Sequence, residues 1–282
     1  MSASAKIARV SQVFKILVLI FLDNGLQIRQ SGIVPRLSKR HGTILEEIVR
    51  HRRTIYSMKN IAIITAAGLG KRMGEGRPKQ YLELAGRPIL CHTLDKFEAA
   101  SLVDEIIVVS DAASLQFVRE KMVSKYSYKK IKDIIKGGEK RQDSVCAGLA
   151  AAKGCDIVCV HDGVRPFVAP ELINKGIEEA RSHGACIVAI PVKDTIKRVD
   201  GEGRIAETVE RAGLWRAQTP QTFRYDILKK AMDKAMKENF YGTDEAMLVE
   251  RLGKDIFILA GDERNIKITT PEDLKIAETL CA

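Results

Sequence analysis

NIAIITAAGLGKRMGEGRPKQY, running from Asn60 to Tyr81, decides how this chain is read. Its first six residues, Asn60 to Thr65, form a short, mostly branched apolar run of the kind that a buried strand requires. The run opens directly into Ala66 to Tyr81, where two closely spaced glycines, Gly68 and Gly70, stand among Lys71, Arg72 and Lys79. Without a Cβ, Gly68 and Gly70 are expected to reach positive φ and to bring backbone N–H groups close to an anion. The cations then neutralise charge that peptide dipoles alone cannot. A strand that ends in such a loop predicts an α/β fold with a triphosphate at the loop.

Two common glycine motifs are excluded. A dinucleotide fingerprint needs glycine at the sixth position, which counted from Gly68 is Met73. A Walker A loop needs four residues between its glycines and a Gly-Lys-Ser/Thr ending, and neither is present. A glycine-rich turn with solvated cations is the plain alternative.

Outward from this stretch, short apolar runs alternate with helical patterns, which predicts βαβ units and a mostly parallel sheet. Strands are expected at Asn60 to Thr65, Glu105 to Ser110, Ile131 to Ile135, Asp156 to Val160, Cys186 to Ile190 and Ile256 to Leu259. Helices are expected at Pro88 to Ala100, Ala112 to Ser124, Gln142 to Ala152, Pro170 to His183 and Arg224 to Lys237. Residues 193–216 break the rhythm: TIKRV and RIAETV flank a Gly-Glu-Gly turn and read as an inserted β-hairpin. Trp215 and Gln218-Thr219-Pro220 are expected to shape the base of that hairpin, with Trp215 in the core.

The net charge of +10 suggests a nucleic-acid or membrane partner at first sight. Its distribution argues against both, because the ten Lys/Arg and three Asp/Glu before Met58 account for all but +3. The hydrophobic share of 45% is enough for one large domain from Met58 to the C-terminus, 58–282. Met1 to Ser57 reads as a basic extension, expected to pack poorly; its apolar run Val13 to Leu22 is too short to span a bilayer. It is either a targeting segment or the product of an upstream start read in place of Met58. The six cysteines show no zinc-ligand spacing, and Cys155 and Cys159, in or beside an apolar strand, read as buried reduced thiols, which fits a cytoplasmic protein, with organellar targeting by the extension as the alternative.

The strand, AAGLGKRM and PKQY resemble the signature of sugar-type nucleotidyltransferases, and among them the 2-C-methyl-D-erythritol 4-phosphate cytidylyltransferase family. Six further segments are similar to that family in the same order: GGEKRQDSV from Gly137, VHDGVRP from Val160, PVKDTIKRV from Pro191, ERAGLWRAQTPQTF from Glu210, TDEA from Thr243 and NIKITTPEDL from Asn265. One departure is visible. The family usually reads HDAARP where this chain has His161-Asp162-Gly163-Val164-Arg165-Pro166, which keeps the Asp and the Arg.

The resemblance implies a Rossmann-like three-layer nucleotidyltransferase fold, with the hairpin as a dimerisation arm that completes the partner's active site in a homodimer. A hairpin folded back on its own domain is the alternative. The implied reaction is attack by a phosphate oxygen of 2-C-methyl-D-erythritol 4-phosphate on the α-phosphorus of CTP, with release of pyrophosphate. Arg72, Lys79 and Lys267 are the implied catalytic cations. Ala66, Ala67, Gly68 and Gly70, with Gly138, Glu139 and Ser144, are implied to hold the nucleotide; Ser144 is also a candidate helix cap or first-turn residue.

Asp162 and Arg165 are assigned to the substrate, as are Thr195 and Arg211 on the arm, Thr219, Thr243 and Thr269. Mg²⁺ or another divalent cation is expected on the triphosphate and water, with Asp162 as the one candidate protein ligand. His161 is expected to be a structural hydrogen-bond partner, because the reaction needs no proton shuttle. A cytidylyltransferase for another polyol phosphate, such as ribitol 5-phosphate, and a CTP-binding protein without chemistry remain the two other readings.

Overall fold

Hydrophobic residues alternate between two faces along each inner strand, so the central sheet of this protein, a computed structural model, is apolar on both sides. The structure describes residues 58–68 and 78–281; the extension Met1–Ser57 and, in the glycine loop, Gly70, Arg72 and Met73 lie outside the described residues. In chain order the strands are β1 (Asn60–Ala66), β2 (Glu83–Leu84), β3 (Arg87–Pro88), β4 (Glu105–Ser110), β5 (Ile131–Lys136), β6 (Ile157–Asp162), β7 (Ala185–Pro191), β8 (Ile196–Val199), β9 (Ile205–Val209), β10 (Trp215–Arg224) and β11 (Phe257–Ala260). The helices are α1 (Ile89–Ala99), α2 (Leu115–Val118), α3 (Arg141–Ala151), α4 (Pro170–His183), α5 (Tyr225–Lys237), α6 (Glu245–Glu250) and α7 (Pro271–Cys281).

Along β1, Ala62, Ile64 and Ala66 face one core cluster while Ile61 and Ile63 face the other. β4 and β6 divide in the same way, with Ile106, Val108 and Cys159 on the first face and Ile107, Val109 and Val160 on the second. Such two-sided burial is what parallel strands covered by helices on both faces require. Leu94 and Phe97 of α1 and Ile173 and Ile177 of α4 close the first face; Val145 and Leu149 of α3 and Leu228 and Met232 of α5 close the second. Phe97 and Phe223 are completely buried, and truncating either to alanine costs about 3–5 kcal/mol.

Seven strands form the sheet in the order β11-β7-β10-β6-β1-β4-β5. Every neighbouring pair is parallel except those of β10, which runs antiparallel to both β6 and β7. The sequence gives no warning of β10, because Pro220 cannot donate to a ladder and argues against an inner strand. The structure resolves the conflict with a register shift between Ala217 and Gln221, a bulge that contains Pro220 and turns Gln218 and Thr219 away from regular pairing. Trp215 corrects a second expectation: it begins β10 and is 40% exposed, outside the core. The expected helix at Ala112 to Ser124 is instead a 3₁₀ turn, the single α-turn α2 and a π-helical segment at Arg119–Ser124.

The segment after β7 is the expected hairpin. β8 and β9 pair antiparallel from Ile196↔Val209 to Val199↔Ile205 as a separate two-stranded sheet. Asp200 organises the turn, its carboxylate accepting from the N–H groups of Glu202 and Arg204, both at 3.0 Å. Val199 and Ile205 stay 55% and 65% exposed, so this hairpin does not fold back onto the described core. Four of the six cysteines (Cys91, Cys155, Cys159 and Cys186) are buried and all six are free. Among the described residues no helix is long and apolar enough to cross a membrane.

Candidate active site

A cavity of about 180 Å³ lies at the carboxyl ends of β1 and β6, where ligands bind in open α/β sheets. Its wall brings together Ala66, Ala67, Gly68, Lys79, Gly138, Glu139, Ser144, Asp162 and Lys267 from the predicted set. Thr65, Gln80, Lys140, Arg141 and Val164 join them. Sequence reasoning had not singled out these five.

Two segments are locked onto the end of β1. The Gly137-Gly138 turn between β5 and α3 is one: a Cβ on Gly137 would lie 2.6 Å from Ser144 Oγ and 2.7 Å from the Cβ of Ala67, and one on Gly138 would lie 2.3 Å from the Cβ of Asp143. Only glycine permits that approach. Ser144 sits within α3, where its hydroxyl accepts from Gly138 N–H at 3.2 Å and donates to Lys140 O at 3.3 Å, so it is not the helix cap. Lys79-Gln80-Tyr81 is the other. Gln80 Nε2 donates to Ala66 O at 2.6 Å, and Tyr81 bonds Ser110 Oγ at 2.7 Å; with both buried, Lys79 remains at the cavity.

Gly68 behaves differently from expectation. Its φ is not in the left-handed region, and a Cβ there would meet nothing within 4 Å among the described residues.

Asp162 is the electrostatic centre. Its Oδ1 faces Arg141 Nε at 3.1 Å, while Oδ2 faces Lys267 Nζ at 3.0 Å and Arg165 Nε at 3.4 Å. Burial opposes its ionisation, but Arg141, Lys267 and Arg165 together overcome this and hold the carboxyl far below the usual carboxylate range. Arg141 also reaches Glu245 Oε1 at 2.6 Å. Along the cavity wall Lys79, Lys140, Arg141 and Lys267 face only two carboxylates, Glu139 and Asp162, so the wall carries a surplus of positive charge.

Behind this centre stands a second layer. Arg165 is set back from the cavity and donates to Asn265 O at 2.7 Å, and the wholly buried Asn265 donates to Thr219 O at 2.9 Å. This anchors the segment that carries Lys267. Thr219 is buried, its hydroxyl bonded to His161 Nδ1 and accepting from Asp162 N–H, so it supports the wall and does not line the cavity. His161, as expected, is structural: burial pushes its imidazole down to about 4.

The remaining predicted residues lie elsewhere. Thr195 and Arg211 line a separate concavity on the hairpin with Thr208, Val209 and Glu210, and Arg211 donates to Lys193 O. Thr243 is exposed two residues before Glu245. Thr269 donates to Lys267 O at 3.1 Å just before the start of α7, where Thr270 and Asp273 cap each other's backbone N–H groups.

The donor set does not form a protein-held metal site. Among the described residues no three His, Cys, Asp or Glu side chains are grouped to hold an ion, and both oxygens of Asp162 already face cations. The arrangement suits an anionic ligand with several oxygens, cradled by backbone and cations.

A family model described as 2-C-methyl-D-erythritol 4-phosphate cytidylyltransferase matches residues 60–282. The protein of that name from Geobacter metallireducens is 48% identical over 225 residues, covering 78% of this chain and 97% of the relative. The one from Clostridium acetobutylicum is 43% identical, covering 78% and 96%. Among solved structures, the 4-diphosphocytidyl-2C-methyl-D-erythritol synthase of Anaerococcus prevotii is similar with a TM-score of 0.72 and 34% identity, covering 81% of this chain and 98% of that one. The matched span runs from the first residue of β1 through α7 and so includes every element that builds the cavity. The chain belongs to the 2-C-methyl-D-erythritol 4-phosphate cytidylyltransferase family.

Proposed function

We infer that this protein transfers CMP from CTP to 2-C-methyl-D-erythritol 4-phosphate, giving 4-diphosphocytidyl-2-C-methyl-D-erythritol and pyrophosphate in the non-mevalonate isoprenoid pathway. The observation that carries the reading is the meeting, at one cavity, of the β1 loop, the Gly137-Gly138 turn and the Asp162–Lys267 pair with a surplus positive charge. A phosphate oxygen of the polyol forms a bond to the α-phosphorus as the bond to the bridging oxygen breaks, and pyrophosphate carries away the electron pair. The attacking oxygen is already anionic, so no base is needed. His161, neutral and committed to two hydrogen bonds, fits a site without a proton shuttle.

In this reading Ala66, Ala67, Gly68, Gly138, Glu139 and Ser144 hold the nucleoside, joined by Gly70. Lys79, Lys267 and Arg72 act on the phosphates, where positioning and charge stabilisation provide the rate. Asp162, Arg165, Thr243 and Thr269 shape the polyol side, with Thr219 acting from behind the wall. Mg²⁺ enters with the nucleotide, bound to triphosphate oxygens and water, as suits a hard ion that dehydrates reluctantly.

The hairpin is read as an arm that carries Thr195 and Arg211 to the site of a second copy in a homodimer. The exposed Val199, Ile205 and Trp215 support that reading. The catalytic unit is Met58–Ala282, working in a reducing compartment. Pyrophosphate release from CTP and methylerythritol phosphate tests the function; turnover of ribitol 5-phosphate in its place would redirect the substrate assignment.

A further inference from the structure

Glu245, the first residue of α6, places a carboxylate in the interior with 1% exposure. Its Oε1 accepts from Arg141 Nη1 at 2.6 Å, and its Oε2 is buried without a partner among the described residues. Stability does not account for such a pair, since apolar residues of the same volume are often as stable. Capping does not either: Asp244 already caps α6, its carboxylate accepting from Met247 N–H at 3.0 Å. What the pair accomplishes is geometric. Arg141 begins α3 and lines the cavity, with Nε on Asp162 while Glu245 holds Nη1. The guanidinium is planar, so holding Nη1 fixes the direction of Nε. Asp162 then presents its other oxygen to Lys267.

We propose that Glu245 is a positioning residue for the transfer: by orienting Arg141 it sets the carboxylate of Asp162 and, through it, the place of the Lys267 ammonium in the cavity. Without the acceptor on residue 245 Arg141 is released toward an anionic ligand, so ground-state binding holds or strengthens while the geometry for attack is lost. The inference rests on the cytidylyltransferase reading above.

The test is steady-state kinetics of the full chain with CTP, Mg²⁺ and methylerythritol phosphate, for the wild type and for Glu245→Ala, Glu245→Gln, Arg141→Ala and the double variant Glu245→Ala/Arg141→Ala. Glu245→Ala is expected to lower kcat roughly 10- to 100-fold with the KM for CTP unchanged or lower. Glu245→Gln keeps the volume and an acceptor for Arg141 and is expected to recover most of that loss. In the Arg141→Ala background, Glu245→Ala should add nothing beyond about twofold, because the path is already cut. Should Glu245→Ala fail to fold, Glu245→Met, of similar length and without the acceptor, takes its place. An unchanged kcat with a lowered Tm, losses that multiply in the double variant, or a Gln variant no better than Ala each overturn the inference. An inactive wild type overturns the cytidylyltransferase reading and this inference together.

Discussion

Thr219 Oγ1 lies 3.0 Å from His161 Nδ1 and donates its hydroxyl proton to that nitrogen. Nε2 faces the carbonyl of Arg165 at 3.1 Å and must donate, so Nδ1 accepts from the threonine hydroxyl, which itself accepts from Asp162 N–H at 3.2 Å. A charged imidazole would leave Nδ1–H aimed at a hydroxyl whose own proton has lost its acceptor. Burial above all, helped by the positive charges of Arg165 and Arg141 and opposed by the bond to the Arg165 carbonyl and the charge of Asp162, keeps His161 neutral, down to about 4.

That chain predicts an acid sensitivity. The folded-state value lies below the ordinary 6.5, so the unfolded state binds the extra proton between the two. The contribution of His161 is therefore intact above pH 6.5 and is lost as pH falls toward 4, by on the order of 3 kcal/mol in all. In His161→Gln, the drop in Tm between pH 7 and pH 4.5 should be smaller than in the wild type. An equal drop would show that another group controls acid unfolding.

Lys267→Ala and Lys79→Ala should each reduce kcat by roughly 10²- to 10³-fold, the usual effect of removing one charge-stabilising donor. Asp162 keeps Arg141 and Arg165 when Lys267 is lost, so Tm should move little in that variant. Circular dichroism melts alongside the pyrophosphate assay separate the two effects. A Lys79→Ala protein unfolded at ambient temperature would mean that Lys79 is structural.

Arg211→Ala should raise the KM for the polyol phosphate and leave CTP affinity nearly unaltered, because Arg211 lies on the hairpin, away from the Ala66–Gly138 wall. If the arm serves a second copy, mixing Arg211→Ala and Lys79→Ala dimers under subunit exchange at low polyol phosphate, where both are impaired, restores activity, since one site of the heterodimer carries neither change. No recovery despite exchange seen by mass spectrometry would place Arg211 on its own subunit's site.

Gly138→Ala forces a Cβ to within 2.3 Å of the Asp143 side chain and shifts the turn. The penalty is about 1–3 kcal/mol, expressed in weaker CTP binding and lower stability. Calorimetric titration of CTP with a parallel melt measures both; a variant unchanged in each would remove the close approach as the reason for glycine there.

Much of this fold is legible from local pattern. The apolar runs at β1, β4, β6 and β7 mark strands buried on both faces, those at β5 and β11 mark the more exposed edge strands, and Pro170 to His183 coincides with α4, which starts at a proline suited to the first helical turn. β10 is illegible because Pro220 contradicts an inner strand until the bulge is seen, and Trp215 looks like core until its strand is found to leave the core there. The site divides in the same way. Ala66 and Lys79 are read from glycine and cation chemistry at a strand end, and Gly138, Asp162 and Lys267 from motifs that resemble the family, whereas Gln80 and Asn265 act through buried hydrogen bonds that carry no local signal.

The sequence by itself determined the family, the parallel α/β class and the chemistry at the strand ends, because periodicity and motif spacing are local properties of the chain. Only the tertiary structure decided which charges share a site. Arg141 meets Glu245 across 104 positions and Asp162 across 21, and it is long-range packing of α3, β6 and α6 that brings them within hydrogen-bond distance. The same packing turns Thr219 from a candidate ligand into the support of His161 and sets Asp162 between Arg141 and Lys267.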